Sequence, residues 1–194
     1  NTFLENVEKC SFADEAVKKD MIAQVRAIRA YRYFMLGYLY GGVPIISNFT
    51  SAKEAQVPRN SEEDVKKYVF DELEKALADI KDKPSSRGYI AKGGVLAMKM
   101  RAALYWGDNK TANSVAKQII DLGQYELDKS YADLFKPKGQ NSKEIILAVQ
   151  YVAGTKPIYE VGQEYPNGDG GWSSMVPTQN CVDNYEMANG KPIS

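Results

Sequence analysis

A glycine-rich segment in the last quarter of the chain contains the residue types best suited to hold a ligand. The segment Tyr159–Trp172 reads YEVGQEYPNGDGGW. Its rings could stack on the CH faces of sugar rings, while its polar groups could bond to hydroxyls. The candidate stacking rings are Trp172, Tyr165 and Tyr159, and the candidate hydrogen-bonding side chains are Gln163, Asn167 and Asp169. The alternative, which is the commoner one for any single ring, is that the aromatics pin a long loop onto the helical part.

The residue types that covalent or acid/base catalysis needs are missing or badly placed. The chain contains no histidine, which excludes Ser/His and Cys/His nucleophile pairs. Neighbouring carboxylates occur at Glu62–Glu63 and at Glu72 and Glu74, but they alternate with lysines along predicted helix faces. This pattern predicts solvated carboxylates and not the opposed acid/base pair of a glycosidase. No residue is predicted to be catalytic.

Two further features could be taken for metal or redox chemistry. The segment Asn167–Gly171 places Asn and Asp oxygens between glycines, as calcium loops do, but it lacks the later glutamate that completes such a loop. Cys10 and Cys181 are too few and too far apart for a zinc site or a disulfide framework. Each is predicted to be a small buried residue and not half of a bridge. We expect neither a metal nor a cofactor.

Charge and hydropathy exclude several classes of partner. Lysine and arginine total 25, and aspartate and glutamate total 25, so no net charge favours nucleic acid or an anionic membrane. No apolar run reaches the length of a membrane span, and the start lacks the residue order of a signal peptide. Cys10 follows Val-Glu-Lys, so it is not predicted to carry a lipid. The 13 tyrosines supply rings with a polar edge, which suit packed helices and sugar-contacting surfaces alike.

The first two thirds of the chain has the apolar periodicity of amphipathic helices. The predicted helices are Asp14–Tyr40, Ser61–Lys81, Ala91–Trp106 and Lys110–Leu122. Gly41 and Pro44 should end the first, and Ser61 with Asp64 should form a capping box at the start of the second. The last two helices are joined by a three-residue turn and carry small residues, so they resemble a tetratricopeptide hairpin. The first two could form a second, divergent pair, although the repeat period of about 34 residues is not kept.

The first long helix has a ring-rich face and an arginine-rich flank. Its aromatics are Tyr31, Tyr33, Phe34, Tyr38 and Tyr40. Their helical spacing favours a role in the core over a binding stripe. The arginines at positions 26, 29 and 32 are expected to bond carboxylates or backbone of adjoining segments. This helix therefore reads as a scaffold element.

Beyond Gly123 the sequence changes character. Glu144–Tyr151 (EIILAVQY) predicts a buried strand, Thr155–Thr178 predicts a long loop, and Gln179–Tyr185 predicts a short helix. The expected fold class is mainly α, with tetratricopeptide-like hairpins, one short β element and long irregular loops near the C-terminal end. Residues 11–123 should form the helical part, and residues 124–194 the loop-rich part.

Several segments occur together, in order, in one protein family. They are NTFLENV at the start, YGGVPII at residues 40–46, VPRNSEEDVKKYVFDELEKAL at 57–77, AKGGVLAMKMRAALYWGD at 91–108, YADLF at 131–135, EIILAVQ at 144–150 and PTQNCVDNYEMANG at 177–190. In these segments the chain resembles the SusD/RagB family of glycan-binding outer-membrane lipoproteins from Bacteroidetes. The resemblance runs nearly from end to end and implies that residues 1–194 are a single central fragment of a longer protein.

The resemblance also implies a function, partners and a location. Family members hold a glycan, or peptides in some branches, and deliver it to a SusC-like TonB-dependent transporter. They do so at the cell surface on the outer membrane, through an N-terminal lipid anchor that this chain would lack. The resemblance assigns no ligand contact to any residue here. Two alternatives stay open: a tetratricopeptide scaffold that binds peptides or proteins, and a hydrolase on a helical scaffold.

Overall fold

The computed structural model describes residues 1–12, 14–48, 51, 53–54, 56–151 and 161–192. The chain divides into two compact units, Asn1–Val149 and Gln150–Ser194. The helices of the first unit are α1 (Thr2–Asn6), α2 (Glu15–Tyr40), α3 (Glu62–Asp79), α4 (Lys92–Tyr105), α5 (Asn109–Asp121) and α6 (Tyr131–Leu134). Those of the second are α7 (Val161–Glu164) and α8 (Gln179–Asp183). Short 3-10 turns lie at Val7–Lys9, Pro137–Asn141 and Asn167–Asp169.

Helix α2 begins and ends at the residues that the sequence predicted. The Asp14 carboxylate accepts a hydrogen bond from the Ala16 N–H at 2.8 Å, which satisfies a first-turn donor. At the other end Gly41 has a φ of 65° and donates its N–H to the Gly37 carbonyl at 2.8 Å. A positive φ favours glycine, so the residue type and the helix end are linked.

The connector after α2 is tied back onto the start of α3. The Asn60 N–H donates to the Val43 carbonyl, and the Asn60 side chain accepts from the Ile45 N–H at 2.9 Å. The Arg59 guanidinium donates to the carbonyls of Gly42 and Tyr40. The capping box is confirmed, because the Ser61 side chain accepts from the Asp64 N–H while the Asp64 carboxylate accepts from the Ser61 N–H.

The four long helices pack as two pairs. Helix α2 packs along α3, which confirms the second hairpin that the sequence left open, and α4 packs along α5. The turn of the second hairpin contains Gly107, with a φ of 72°, and Asp108, whose carboxylate accepts from the Thr111 N–H at 3.0 Å. The buried residues of the main core are Ala23, Ala27, Ala30, Phe34, Val43, Val65, Val69, Leu73, Ala76, Ile80, Ile90, Val95 and Ala102. The tetratricopeptide-like, mainly α fold class is therefore confirmed.

The small residues of α4 accept side chains from the segment that follows α5. A Cβ at Gly93 would overlap the ring of Tyr125, and a Cβ at Gly94 would lie 3.6 Å from Leu147. Leu96 of α4, together with Val115 and Ile119 of α5, forms a smaller core against which Tyr125 and Ile146 pack. The small residues of α4 therefore make room for side chains of the segment that follows α5.

Glu72 corrects the prediction that the α3 carboxylates are solvated. Its side chain is only 2% exposed and lies on the same buried face of α3 as Val69 and Leu73. Arg26 and Arg29 of α2 reach it at 2.8 Å and 2.6 Å, as expected for arginines that bond an adjoining segment. A buried carboxylate is tolerated because these cations compensate its charge. Glu74, by contrast, is exposed and pairs with Lys99.

Other sequence predictions are wrong in the described residues. Glu144–Tyr151 forms no strand, and the β pairing in this part of the structure is a single bridge between Glu186 and Pro192. A strand is defined by a ladder of backbone bonds to a neighbouring strand, and the residues of this segment are not part of such a ladder. Cys10 and Cys181 are exposed, which corrects their assignment as buried residues, and they are not bridged, as predicted. Cys10 directly follows the 3-10 turn Val7–Lys9, and Cys181 lies in the short helix α8.

The rings of α2 divide between core and surface. Phe34 is buried, and Tyr31 and Tyr33 pack partly buried against the core, as predicted. Tyr38 and Tyr40 are exposed, which corrects their assignment to the core. Tyr38 lies one turn beyond Phe34 at the end of the helix, where the ring of Tyr105 covers one side of it and solvent the rest.

Candidate functional site

The residues proposed to contact a ligand lie on a loop that closes on itself. We call Gln163–Ser174 the aromatic loop. The Ser173 N–H donates to the Tyr165 carbonyl and the Ser174 N–H donates to the Gln163 carbonyl, both at 2.9 Å. These two bonds bring the end of the loop back beside its start. A loop fixed by its own backbone holds its side chains in place before a ligand arrives.

The tip of the aromatic loop is a 3-10 turn at Asn167–Asp169. It ends at Gly170, which has a φ of 81° in the left-handed region. Gly171 follows, and a Cβ there would overlap the Tyr165 carbonyl, so only glycine fits at this crossing. Ser173 also has a positive φ of 49°, and its hydroxyl accepts from the Asn167 N–H at 2.9 Å. The glycines that marked this segment therefore permit a tight, specific turn.

The two rings of the aromatic loop are open to solvent. Trp172 is 72% exposed and Tyr165 is 54% exposed. Trp172 stands directly before Ser173, whose N–H bonds the Tyr165 carbonyl, so both rings leave the backbone at the closed end of the loop. Tyr159, the third candidate ring, lies outside the described residues. That these rings contact a ligand stays a prediction.

The polar candidates are also exposed and have unused bonding capacity. In the part of the chain that the structure describes, the hydrogen bonds of Gln163, Asn167 and Asp169 are made by their backbone atoms. The two side-chain amides can each donate and accept, and the Asp169 carboxylate can accept. The structure thus places five of the six predicted site residues on one short closed loop.

A second exposed aromatic surface lies on the first unit and was missed by the sequence reasoning. Tyr38 and Tyr105 meet with ring centroids 5.0 Å apart and are 51% and 43% exposed. The Tyr105 hydroxyl donates to the Tyr38 carbonyl at 3.3 Å, and both rings contact Phe34. The sequence does mark this surface in one way: two predicted helices end in aromatic residues directly before a glycine, at Tyr38–Tyr40 and at Tyr105–Trp106.

The connector between α2 and α3 borders a cavity of about 320 Å³. Its lining includes Ile45, Val57 and Pro58 together with Ser47 and Asn60. The volume is at the lower end of the range for small-ligand sites. One polar group of this lining, the side-chain oxygen of Asn60, already accepts a hydrogen bond from the Ile45 N–H. The exposed rings favour the aromatic loop as the candidate site.

The described residues form neither a metal-binding cluster nor a helix that could span a membrane. The described residues bring together no cluster of three or more Cys, Asp or Glu side chains placed to hold a metal. Of the helices in the described ranges, none has both the length and the apolar character needed to cross a bilayer.

Comparison with known proteins gives a consistent result. No family model matches the chain. A SusD-like protein from Bacteroides ovatus is 30% identical over 90% of this chain and 36% of its own length. The crystal structure of a SusD-like carbohydrate-binding protein from Bacteroides fragilis superposes with a TM-score of 0.87 at 28% identity, over 100% of this chain and 38% of that one.

A structure determined with xylogluco-oligosaccharide is also similar, with a TM-score of 0.65 and 27% identity. That match covers 78% of this chain and 32% of the other. The chain therefore spans between about a third and two fifths of the length of these relatives. The structural match to the Bacteroides fragilis protein covers the whole chain, and the sequence match to the Bacteroides ovatus protein covers nine tenths of it. The chain belongs to the SusD-like family.

Proposed function

We propose that this chain is part of a glycan-binding protein and that the aromatic loop contacts the sugar. The observation that carries the proposal is the exposure of Trp172 and Tyr165 on a loop closed by its own backbone bonds. Single exposed rings are common on protein surfaces, but exposed apolar surface that is grouped in one place can mark a ligand-binding site, and both rings lie on this one short loop. Two similar structures support the ligand class, since one is a carbohydrate-binding protein and another was solved with an oligosaccharide.

The physical basis is stacking on a preformed surface. Each pyranose presents a CH face that removes apolar area from water when it lies on a ring. The hydroxyls at its rim would bond to Gln163, Asn167 and Asp169, which are unsatisfied by other side chains of the described structure. Because the loop is already closed, little conformational entropy is lost on binding.

The wider role follows from the family. The protein would capture oligosaccharide at the cell surface and deliver it to a SusC-like TonB-dependent outer-membrane transporter, bound to the membrane through a lipid anchor. This role is binding without chemistry and requires no cofactor. Co-purification of the complete natural protein with such a transporter from membranes tests the partnership, and surface labelling of intact cells tests the location.

The site is tested by glycan titration of the complete natural protein and its Trp172→Ala variant. We expect the substitution to weaken binding at least about tenfold, because a stacked base or ring contributes on the order of 1–3 kcal/mol. Tyr185→Ala is the matched control, since Tyr185 is an exposed aromatic of the same unit outside the aromatic loop. Binding that is equally strong in all three proteins would remove the aromatic loop from the site.

A second candidate function is the binding of peptides or proteins by the helical unit. The observation in its favour is the exposed Tyr38–Tyr105 pair, which is rigid because both rings stand on helices and pack on Phe34. Aromatic residues held in this way are common anchors of protein interfaces. Peptide binding that is abolished by Tyr105→Ala, with no glycan binding, would favour this candidate over the first.

A further inference from the structure

We infer that the ligand of the aromatic loop is an uncharged glycan and not one that carries carboxylate or sulfate groups. The inference rests on the proposed function and adds the charge class of the ligand. It is drawn from two independent features of the loop: the charges of its side chains and the use of its backbone N–H groups.

The charged side chains of the aromatic loop are both acidic. They are Glu164 and Asp169, and the loop contains no lysine or arginine. Both are exposed, and neither forms an ion pair with any other described residue. Glu164 precedes Tyr165, whose carbonyl bonds the Ser173 N–H, and Asp169 lies three positions before Trp172. A sugar stacked on either ring therefore lies within a few residues of a negative charge.

Like charges at this separation oppose binding of an anionic ligand. Unit charges about 6 Å apart repel enough in a high-dielectric surface environment to weaken binding roughly fivefold, and salt screens them beyond about 8 Å. The described residues of the wider unit do not reverse this negative charge. They include two more carboxylates, Asp183 and Glu186, against a single lysine, Lys191.

Backbone N–H groups can bind anions without basic side chains, but here six of those between Asn167 and Ser174 are already used within the loop. The Asn167 N–H donates to the Ser173 hydroxyl, and the Asp169 and Gly171 N–H groups both donate to the Pro166 carbonyl at 3.0 Å. Those of Gly170, Ser173 and Ser174 also donate to carbonyls within the loop. The turn that exposes the rings thus consumes most of the backbone donors at its tip, and no run of successive free N–H groups remains there to form an anion nest.

The groups that remain suit a neutral polyol. The side-chain amides of Gln163 and Asn167 can each accept from one hydroxyl and donate to another, and the Asp169 carboxylate can accept from a hydroxyl. A carboxylate that accepts from an uncharged hydroxyl forms a stronger bond than a neutral acceptor does. The Asp169 carboxylate could accept no hydrogen bond from a uronate carboxylate or a sulfate group, because neither carries a donor.

The test measures affinity for matched neutral and anionic ligands. The complete natural protein is screened against arrays of neutral oligosaccharides, oligogalacturonates and sulfated oligosaccharides. The tightest neutral ligand is then compared with its form oxidised to uronic acid at C6. We expect the uronate to bind at least about tenfold more weakly at physiological salt. Trp172→Ala is measured alongside, to identify binding that occurs at the aromatic loop.

A charge variant outside the proposed contacts separates electrostatics from shape. Glu164→Gln should leave the neutral affinity unchanged and strengthen binding of the uronate about twofold to threefold, and Glu164→Lys should strengthen it about tenfold. Uronate or sulfated glycan bound as tightly as the neutral ligand, with loss in Trp172→Ala, would overturn the inference and leave the proposed function standing. If no glycan binds in a Trp172-dependent way, both are overturned.

Discussion

Arg29 donates to Glu72 Oε2 from both Nε, at 3.2 Å, and Nη2, at 2.6 Å, across the buried face between α2 and α3. Arg26 takes the other carboxylate oxygen at 2.8 Å. Glu72 is therefore an anion in the core that depends on two cations from the neighbouring helix. These bonds also link one position of α3, Glu72, to two positions of α2, Arg26 and Arg29, so they favour one register between the two helices.

We expect Glu72→Gln to lower the free energy of unfolding by about 3 kcal/mol. Removing one partner of a buried ion pair leaves the other charge uncompensated. Urea unfolding followed by circular dichroism measures the change. Glu63→Gln is the control, because Glu63 is exposed and pairs only with Lys66 on the helix surface, where a change within about 0.5 kcal/mol is expected. Equal effects of the two substitutions would contradict the assigned role of Glu72.

The closed aromatic loop predicts different outcomes for two glycines in it. Gly171→Ala would place a Cβ against the Tyr165 carbonyl, so the loop should open and glycan affinity should fall about tenfold or more. Gly168→Ala meets no atom within 4 Å and should bind nearly as well as the natural protein. Calorimetric titration of both variants measures the difference. Unchanged affinity in Gly171→Ala would show that loop closure does not organise the site.

The rings of Tyr33 and Tyr68 pack edge to face, with centroids 4.9 Å apart, but only the Tyr33 hydroxyl forms hydrogen bonds in the described residues. The Tyr33 hydroxyl accepts from the Ile46 N–H at 2.8 Å and donates to the Ile46 carbonyl at 3.2 Å. The buried Tyr68 hydroxyl has no partner in the described residues. Tyr33→Phe should therefore cost about 1 kcal/mol of unfolding free energy, whereas Tyr68→Phe should cost nothing or stabilise. Chemical denaturation of the two variants checks this order, and a larger loss in Tyr68→Phe would reverse it.

Burial raises the pKa of Tyr68 to about 12. Since the neutral phenol is the form that the fold favours, its contribution to stability is fully present below the ordinary pKa of 10.0 and is lost as pH rises through about 12. The stability of the natural protein should thus fall more steeply between pH 10 and pH 12 than that of Tyr68→Phe. Denaturation midpoints across this range measure the effect, and parallel curves would contradict it.

The cap of α5 predicts a pH dependence of the opposite sign. Hydrogen bonds from the Thr111 side chain and backbone lower the pKa of Asp108 below its ordinary value of 3.8. The stabilisation from this carboxylate is present above pH 3.8 and is lost as pH falls through the lowered pKa. Asp108→Asn keeps a capping acceptor at every pH. Its stability should therefore decline less on acidification than that of the natural protein, as thermal unfolding between pH 2 and pH 7 can show.

Local signals along the chain were sufficient to predict the four long helices, α2 to α5. Asp14, the Ser61–Asp64 capping box and the turn at Gly107 act on neighbouring backbone, so their effect can be read from a few adjacent residues. The five described candidate residues were also grouped from sequence, because glycines, rings and amides occur together in one segment, and the structure places them on one loop. Whether they contact a ligand depends on a partner that neither the sequence nor the fold contains.

The predictions that failed all depended on distant residues. Glu144–Tyr151 has the composition of a strand, but composition does not determine whether a neighbouring backbone forms a ladder with it, and this segment is not assigned to a strand. Glu72 has the surroundings of a surface residue in sequence, yet α2 covers it and provides Arg26 and Arg29. The Tyr38–Tyr105 pair joins two helix ends that are 67 residues apart, so the rings and glycines at each end mark the ends but do not show that the two meet.

By itself, the sequence determined the helical class, the helix ends, the family and the segment in which to look for a site. These properties follow from backbone conformation and from periodicity within a few turns, which adjacent side chains control. The tertiary structure decided which carboxylate is buried, which rings face solvent, and that most backbone donors at the tip of the aromatic loop bond within it. Those outcomes depend on which surfaces meet, because burial and electrostatic compensation are set by neighbours in space.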